Sequence, residues 1–168
     1  MKIDRAVFNS SSRRCTVASK PILVCVSDIE SNLRLEDFCT LVTTGTKIVV
    51  GTGSMIDDFS RLYTDVHFVG CKQHQRLAHY YANADVVVCP NGMQGAGDTI
   101  PESICCGTPV ASRSHILTDN LIIPHITGEI GEDLSAAISR CMMLDRSTVE
   151  DMGHFLFSRS EHLINQLR

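Results

Sequence analysis

The chain has 168 residues, which fits a single domain, since a compact domain of this size buries about 70% of the surface that its unfolded chain exposes. Its composition, 43% hydrophobic and 20% charged, is that of a globular protein and excludes disorder and collagen-like repeats. The net charge of −4 comes from 15 basic and 19 acidic residues, and the basic residues are too scattered to predict a nucleic-acid or anionic-membrane surface. No run reaches the roughly 18 apolar residues of a membrane span, and the first residues lack the apolar core of a secretory signal, so we expect a cytoplasmic protein with no transmembrane segment.

The cysteines and histidines predict neither disulfides nor a metal site. Cys25 and Cys89 interrupt apolar runs, Cys105 and Cys106 are adjacent, and no C-x-x-C pair occurs. This placement favours small buried thiols in a reducing compartment. The seven histidines show no H-E-x-x-H or zinc-finger spacing, so we predict no bound metal and no cofactor.

The pattern of the chain changes at Pro21. Residues 1–20 combine a serine run at 10–12 with basic side chains and lack a hydrophobic period, which predicts an extended, solvated lead-in. In residues 21–168, short apolar runs rich in β-branched side chains alternate with amphipathic stretches. The runs predict strands over residues 22–26, 47–50, 66–69, 85–90, 109–112 and 128–130. The amphipathic stretches predict helices over residues 32–41, 55–63, 73–83, 100–106, 133–144 and 148–167.

The alternation of strands and helices predicts the fold class. Right-handed β-α-β crossovers build a parallel sheet with helices on both faces, so we predict an α/β fold with a single Rossmann-like domain and a mostly parallel sheet. The run at 85–90 becomes continuously apolar after its first residue, as in strands covered on both faces, and should lie centrally. Ligands in such folds bind beyond the carboxyl ends of the strands.

Glycines cluster after two of the predicted strands. Gly51-Thr52-Gly53 lacks the third glycine of a dinucleotide fingerprint and follows the second strand, so we interpret it as a tight turn. The glycine-rich loop at 91–97 leads into a helix whose first turn carries Glu102, and a close backbone approach beside a helix N-terminus suits a phosphate group. Thr99 and Glu102 also have capping-box spacing, so Glu102 either binds a ligand or caps its own helix.

A set of spaced residues surrounds this loop. Asp85 opens the strand and Pro90 closes it, Gly97 and Glu102 follow, and residues 107–110 read G-T-P-V. The set resembles the nucleotide-sugar half of the family 4 retaining glycosyltransferases. Shorter matches extend the resemblance to about residues 22–145, at residues 47–53, 66–70, 126–128 and 132–134.

The resemblance implies one half of a GT-B architecture, in which two Rossmann-like domains face each other across a cleft. It implies that Glu102 binds the ribose hydroxyls of a nucleoside-diphosphate sugar, which is the donor substrate, and that Gln94 takes the place of an acid near the donor sugar. The nucleotide-sugar site that it implies comprises Gln94, Gly95, Ala96, Gly97, Asp98, Thr99 and Glu102. No acceptor-binding domain has a counterpart in the sequence, so sugar transfer would need a separate acceptor domain or chain.

The chain departs from the family pattern at several positions. Cys25-Val26 and Ser31 stand where the family has two cations that contact the donor diphosphate, an amide replaces the acid at Gln94, and His125 replaces a turn glycine. Other cations could supply the missing charge, namely Lys20, Arg34, Lys72 and Arg113.

Two functions therefore compete. The chain is either a donor-binding half that works with an acceptor chain, or an inactive relic that serves as an interaction or nucleotide-binding module. An unrelated doubly wound binder would explain the sheet but not the motif spacing. The last helix has a wide apolar stripe that either packs on the sheet or forms a surface for a homodimer or partner chain, with the members Val149, Met152, Phe155, Leu156, Phe157, Leu163, Ile164 and Leu167.

Overall fold

The structure is a computed structural model that describes residues 3–4, 6–13, 18–30, 34–90, 98–113 and 121–166, with side chains up to residue 156. The described strands are β1 (Ile22–Val26), β2 (Thr46–Val50), β3 (Val66–Phe68), β4 (Val86–Cys89), β5 (Val110–Ser112) and β6 (Gly128–Ile130). The described helices are α1 (Leu35–Cys39), α2 (Ile56–Leu62), α3 (His74–Asn83), α4 (Thr99–Cys105), α5 (Leu134–Cys141) and α6 (Arg146–Gln166). None of these helices combines the length and apolarity that crossing a bilayer requires.

The strands form one sheet in the order β3-β2-β1-β4-β5-β6, and every described pair is parallel. This confirms the predicted α/β fold with a Rossmann-like parallel sheet. The prediction that β4 lies centrally is also confirmed, because β4 pairs with β1 on one side and with β5 on the other. Strand order reverses between β1 and β4, which is the point where ligands bind in open α/β sheets.

Side chains of alternate residues along each strand enter two hydrophobic cores, one on each face of the sheet. On β1, Leu23 and Cys25 face the core that contains α1, α2 and α5. Ile22 and Val24 face the second core, which contains α3, α4 and the start of α6. The described cysteines are free, and all but Cys71 are buried, as predicted for small apolar thiols.

The N-terminal segment differs from the predicted solvated lead-in. Its described residues include a short 3-10 turn at Ser10–Ser12, and Phe8 is only 2% exposed. The Ser12 carbonyl accepts hydrogen bonds from His79 Nδ1 at 2.9 Å and from Asn83 Nδ2 at 3.2 Å, which ties the segment to α3. The prediction of a solvated arm is therefore wrong for these residues, because an aromatic ring buried in the core fixes the chain on either side of it.

The glycines at 51 and 53 serve packing between two loops. A Cβ atom on Gly51 would lie 1.9 Å from the Ser27 carbonyl oxygen, and one on Gly53 would lie 2.2 Å from the Ile29 carbonyl oxygen. The loops that follow β1 and β2 are also joined by backbone hydrogen bonds, such as that from the Ile29 amide to the Thr52 carbonyl at 3.0 Å. The interpretation of this motif as a tight turn fits this geometry.

His125 adopts the backbone conformation that the family glycine would favour. Its φ is +64°, and its amide donates a 3.0 Å hydrogen bond to Glu129 Oε1. The same carboxyl oxygen lies 2.8 Å from His125 Nδ1, while Glu129 Oε2 accepts from Arg140 Nε at 3.0 Å. These contacts around a buried carboxylate hold a non-glycine residue in the left-handed region.

Helix α6 is anchored to α3 and α4 by its first two turns. The Arg146 guanidinium donates to the carbonyls of Ala82 and Ala84, and also to Thr108 Oγ1 at 2.6 Å. Further along α6, a Cβ atom on Gly153 would lie 2.9 Å from the side chain of Ile104, so the two helices pack at close range.

The left-handed backbone conformation at Gly107, after the end of α4, can be tested by substitution. Gly107 has a φ of +68°, and a Cβ atom there would lie 3.1 Å from the Arg146 carbonyl oxygen. The variant Gly107→Ala should lower the free energy of unfolding by about 1–2 kcal/mol, because an L-residue in the left-handed region is strained. Urea denaturation followed by circular dichroism measures this change.

A matched substitution controls for the loss of glycine flexibility. A Cβ atom on Gly131 would meet nothing nearer than the Arg140 guanidinium at 3.4 Å, so Gly131→Ala should change the free energy of unfolding by less than about 0.5 kcal/mol. Equal effects of the two substitutions would contradict the proposed origin of the strain.

Candidate functional site

A cavity of about 1180 Å³ lies at the carboxyl edge of the sheet, where α3 and α4 begin. One wall consists of residues 71–76, which lead from β3 into α3. Asp98 and Glu102 line it from the start of α4. The N-terminal segment contributes the remaining described wall with Ile3, Asp4, Val7 and Phe8. The cavity therefore unites a sequence-predicted site residue, Glu102, with a segment that was predicted to lie outside the domain.

Glu102 is the buried acid of this cavity. Its residue is 7% exposed, and its amide donates a 2.9 Å hydrogen bond to the Asp98 carbonyl within the first turn of α4. Burial raises the pKa of Glu102 above its ordinary value, and the charge of Asp98 adds to this rise. Tyr81 and His74 both act to lower the pKa of Glu102. Burial of the ionised carboxylate therefore costs free energy, and Glu102 lines the cavity.

Tyr81, on the buried face of α3, was not singled out by the sequence. Its side chain is fully buried, and its hydroxyl donates a 3.2 Å hydrogen bond to Thr99 Oγ1. The signal in the sequence was its place on the apolar face of α3 with Ala78 and Ala82, since a tyrosine hydroxyl on a buried face must find a polar partner.

The capping-box interpretation of Thr99 and Glu102 is not supported by the helix geometry. Asp98 occupies the N-cap of α4 and makes no side-chain capping hydrogen bond, and Thr99 is the first helical residue. The Thr99 hydroxyl contacts Tyr81 instead. The Glu102 carboxylate therefore has no role in closing this helix end, and its burial needs another explanation.

Phe8 fixes the aromatic side of the cavity. Its ring meets the His74 ring edge to face at a centroid distance of 6.1 Å, and it lies 6.2 Å from the Tyr81 ring. The N-terminal segment therefore supports two of the groups that surround Glu102.

The four cations proposed from the sequence lie in different places. Only Lys72 lines the cavity, where its ammonium donates to the Val69 carbonyl, and Arg76 is a second cation on the same wall. Lys20 pairs with Asp85 at 2.8 Å, away from the cavity. The remaining two cations share a carboxylate on α1, since Arg34 and Arg113 both pair with Asp37.

The described residues cover three members of the predicted site, Asp98, Thr99 and Glu102, and bring them together at the start of α4. Gln94, Gly95, Ala96 and Gly97 lie outside the described residues, as does Ser31. Val26, which stands at a family cation position, packs against the core at the end of β1. Its neighbour Cys25 is buried, and burial raises the pKa of the Cys25 thiol well above the ordinary value.

Comparison with known proteins identifies the fold and a family. A family model described as "Glycosyl transferases group 1" matches residues 20–143. No curated protein matches the sequence. Solved structures are similar at low sequence identity, so they bear on the fold alone.

Three of these structures define the likeness. AviGT4, a glycosyltransferase of avilamycin A biosynthesis, superposes with a TM-score of 0.72 at 18% identity over 98% of this chain and 54% of its own. The C-terminal domain of the group 1 glycosyl transferase LpcC from Francisella tularensis gives 0.67 at 16% identity, over 94% of this chain and 95% of that domain. The pneumococcal O-GlcNAc transferase GtfA, solved with UDP and GlcNAc, gives 0.64 at 12% identity over 95% of this chain and 37% of its own. The chain thus spans about half the length of AviGT4, and its fold matches one half of a GT-B glycosyltransferase.

The raised pKa of Glu102 predicts a pH-dependent stability. Because the pKa of Glu102 is higher in the folded than in the unfolded chain, the folded chain keeps its proton to higher pH. The free energy of unfolding therefore falls as pH rises from the unfolded pKa through the folded pKa. Glu102→Gln removes the buried charge, so its free energy of unfolding should increase relative to that of the parent chain between about pH 4 and pH 7. Urea denaturation across this range measures the difference.

The exposed Glu36 on α1 offers the matched control. Glu36→Gln should show a difference from the parent that varies little with pH. If the stability difference between Glu102→Gln and the parent were equally independent of pH, burial of the Glu102 carboxylate would not be unfavourable.

Proposed function

Because the chain belongs to the group 1 glycosyl transferases, we propose that it is the donor-binding half of a retaining GT-B enzyme of family 4, corresponding to the C-terminal domain. In this proposal a nucleoside-diphosphate sugar occupies the cavity beside Glu102. The observation that carries the proposal is a buried carboxylate that lines an open cavity and does not cap its helix.

The chemistry of Glu102 suits the ribose of the donor. An ionised carboxylate is an acceptor only, and its two oxygens can each accept a hydrogen bond from one of two vicinal hydroxyls. A buried carboxylate is desolvated in advance, so hydrogen bonds from a ligand replace contacts with water that burial has already removed. The structure of GtfA with bound UDP supports a nucleotide as the occupant.

The remaining predicted site residues complete the proposal. Gln94 hydrogen-bonds the donor sugar, and the backbone of Gly95, Ala96 and Gly97 approaches the diphosphate. Lys72 and Arg76 line the cavity with Glu102 and offset the negative charge of the phosphates, in place of the family cations that Cys25-Val26 and Ser31 replace. No metal or cofactor is required by this arrangement.

A second candidate is a catalytically inactive relic that binds nucleotide or a partner. The observation that favours it is the apolar side chain of Val26, which stands where the family pattern has arginine, packs against the core and cannot neutralise a diphosphate. Both candidates share the nucleotide site and differ in sugar transfer when an acceptor domain is supplied.

We also propose that the wall opposite the donor comes from an acceptor domain or from another chain. Helix α6 is the surface that we propose for such a chain, or for a second copy in a homodimer. Its first turns are buried against α4, but Phe155 is 51% exposed. The free, mostly buried thiols support the cytoplasm as the compartment.

Nucleotide binding tests the site directly. Calorimetric titration with a panel of ribonucleoside diphosphates and nucleotide sugars should give micromolar or weaker dissociation constants. Glu102→Ala should weaken binding at least about tenfold, since each hydrogen bond to a charged group contributes about 1.5–3 kcal/mol. Glu36→Ala is the control, because Glu36 lies on the helix layer of the opposite face. Equal binding by Glu102→Ala and the parent would exclude the ligand assignment.

Sugar transfer by these 168 residues alone should not occur. Holding donor and acceptor in contact contributes roughly 7–11 kcal/mol to catalysis, and the proposed site supplies only the donor side. The purified chain should therefore fail to glycosylate added acceptors, as measured by mass spectrometry of the products. Acceptor glycosylation would contradict this expectation, whereas slow hydrolysis of the donor would not, since water needs no acceptor site.

A further inference from the structure

We propose that Phe8 is a positioning residue of the nucleotide site, because its buried ring holds the N-terminal segment in place as one wall of the cavity. The inference rests on the proposed function in one respect, namely that a nucleotide occupies the cavity that Glu102 lines. A ligand in this cavity contacts the N-terminal wall as well as Glu102, so docking of the segment and binding of the nucleotide are coupled.

The N-terminal segment supplies the apolar wall of the cavity. Ile3, Val7 and Phe8 line it, and Asp4 adds a carboxylate. Ile3 is 8% exposed and Phe8 is 2% exposed, so both side chains are packed into the domain. Without the segment, a nucleotide at Glu102 would lose these apolar contacts, and the buried surface of the ligand would decrease.

Phe8 connects this wall to α3 through ring contacts. Its ring meets the His74 ring edge to face at a centroid distance of 6.1 Å, and His74 itself lines the cavity. The ring centroid of Phe8 is also 6.2 Å from that of Tyr81, which is fully buried. Removal of the Phe8 ring therefore takes away the support of the segment and that of the His74 ring together.

The other anchors of the segment are polar and lie farther along it. The Ser12 carbonyl accepts from His79 Nδ1 at 2.9 Å and from Asn83 Nδ2 at 3.2 Å. The Ser10 amide donates to Glu150 Oε1 at 3.3 Å. A terminal segment held by one buried ring and a few hydrogen bonds can undock locally while the sheet stays folded.

The variant Phe8→Ala removes the ring and should undock the segment. Calorimetric titration of the folded variant with ADP, GDP, CDP and UDP should show at least about a tenfold loss of affinity for each nucleotide that the parent binds, since the docked fraction limits the apparent affinity. Phe8→Leu restores an apolar side chain of similar reach, and its affinity should lie within about threefold of that of the parent.

Phe59→Ala is the matched control for loss of a buried aromatic ring. Phe59 is 5% exposed in the core on the other face of the sheet, and the described lining of the cavity does not include it. Its substitution should destabilise the fold and change nucleotide affinity by less than about twofold. If Phe8→Ala fails to fold, His79→Ala removes an anchor of Ser12 and should weaken binding by about threefold.

Hydrogen exchange of the parent chain measures the coupling without any substitution. The amides of Val7 and Phe8 donate to the Asp4 carbonyl at 3.0 and 2.9 Å, so their exchange reports undocking of the segment. A saturating nucleotide should slow both rates. The Tyr63 amide, which donates to the Phe59 carbonyl at 2.8 Å in a helix on the other face, should exchange at an unchanged rate.

The outcomes separate this inference from the proposed function. Equal nucleotide affinity of Phe8→Ala and the parent, or an equal loss in Phe8→Ala and Phe59→Ala, would overturn the role of Phe8 and leave the nucleotide site standing. Weaker binding by Phe8→Ala together with unchanged binding by Glu102→Ala would support the N-terminal wall and overturn the ribose assignment. A parent chain that binds none of the four nucleotides would overturn both.

Discussion

The carboxylate of Glu102 lies where a charge is costly, in the first turn of a helix whose seven residues are all buried. Burial of an ionised group disfavours folding unless hydrogen bonds and opposite charges replace its contacts with water. Two cations, Lys72 and Arg76, line the same cavity, together with the acids Asp4 and Asp98. The arrangement favours a ligand that can donate hydrogen bonds to the remaining acceptor positions.

The fold brings these groups together because of strand order. With β1 and β4 at the centre, α3 must cross from the β3 edge to reach β4, which places its buried face beside α4. Thr108, just before β5, donates a hydrogen bond to the Tyr81 carbonyl of α3 and accepts one from Arg146 of α6. These bonds connect the end of α3 to β5 and to α6. The N-terminal segment then covers α3 with Phe8 and closes one wall of the cavity. The site therefore depends on contacts between segments far apart in the sequence.

The elements with regular apolar patterns were predictable from the sequence. The strand at β4 was marked by its uninterrupted β-branched run, and Gly107 marked the end of α4 with a left-handed φ. Helix boundaries shifted by a few residues, as at α1, because frayed ends depend on capping contacts that periodicity does not encode. Glu102 was found by motif spacing, which also marked the start of its helix.

Features that depend on tertiary contacts were not predictable in this way. Phe8 is an isolated aromatic residue in a polar, basic segment, so no hydrophobic periodicity predicted its burial. The capping box at Thr99 failed because its hydroxyl contacts Tyr81, a partner 18 residues away. Lys72 was one of four candidate cations in the sequence, and only the placement of α3 beside α4 distinguished it from the other three and added Arg76.

The central claim is that Glu102 receives the two vicinal hydroxyls of a ribose. Its most direct test is a calorimetric comparison of the tightest-binding ribonucleoside diphosphate with its 2′,3′-dideoxy analogue, which keeps the base and both phosphates. The account predicts at least about a tenfold loss of affinity for the analogue, since the buried carboxylate is then left without its ligand donors. Equal affinity for the two compounds would contradict it.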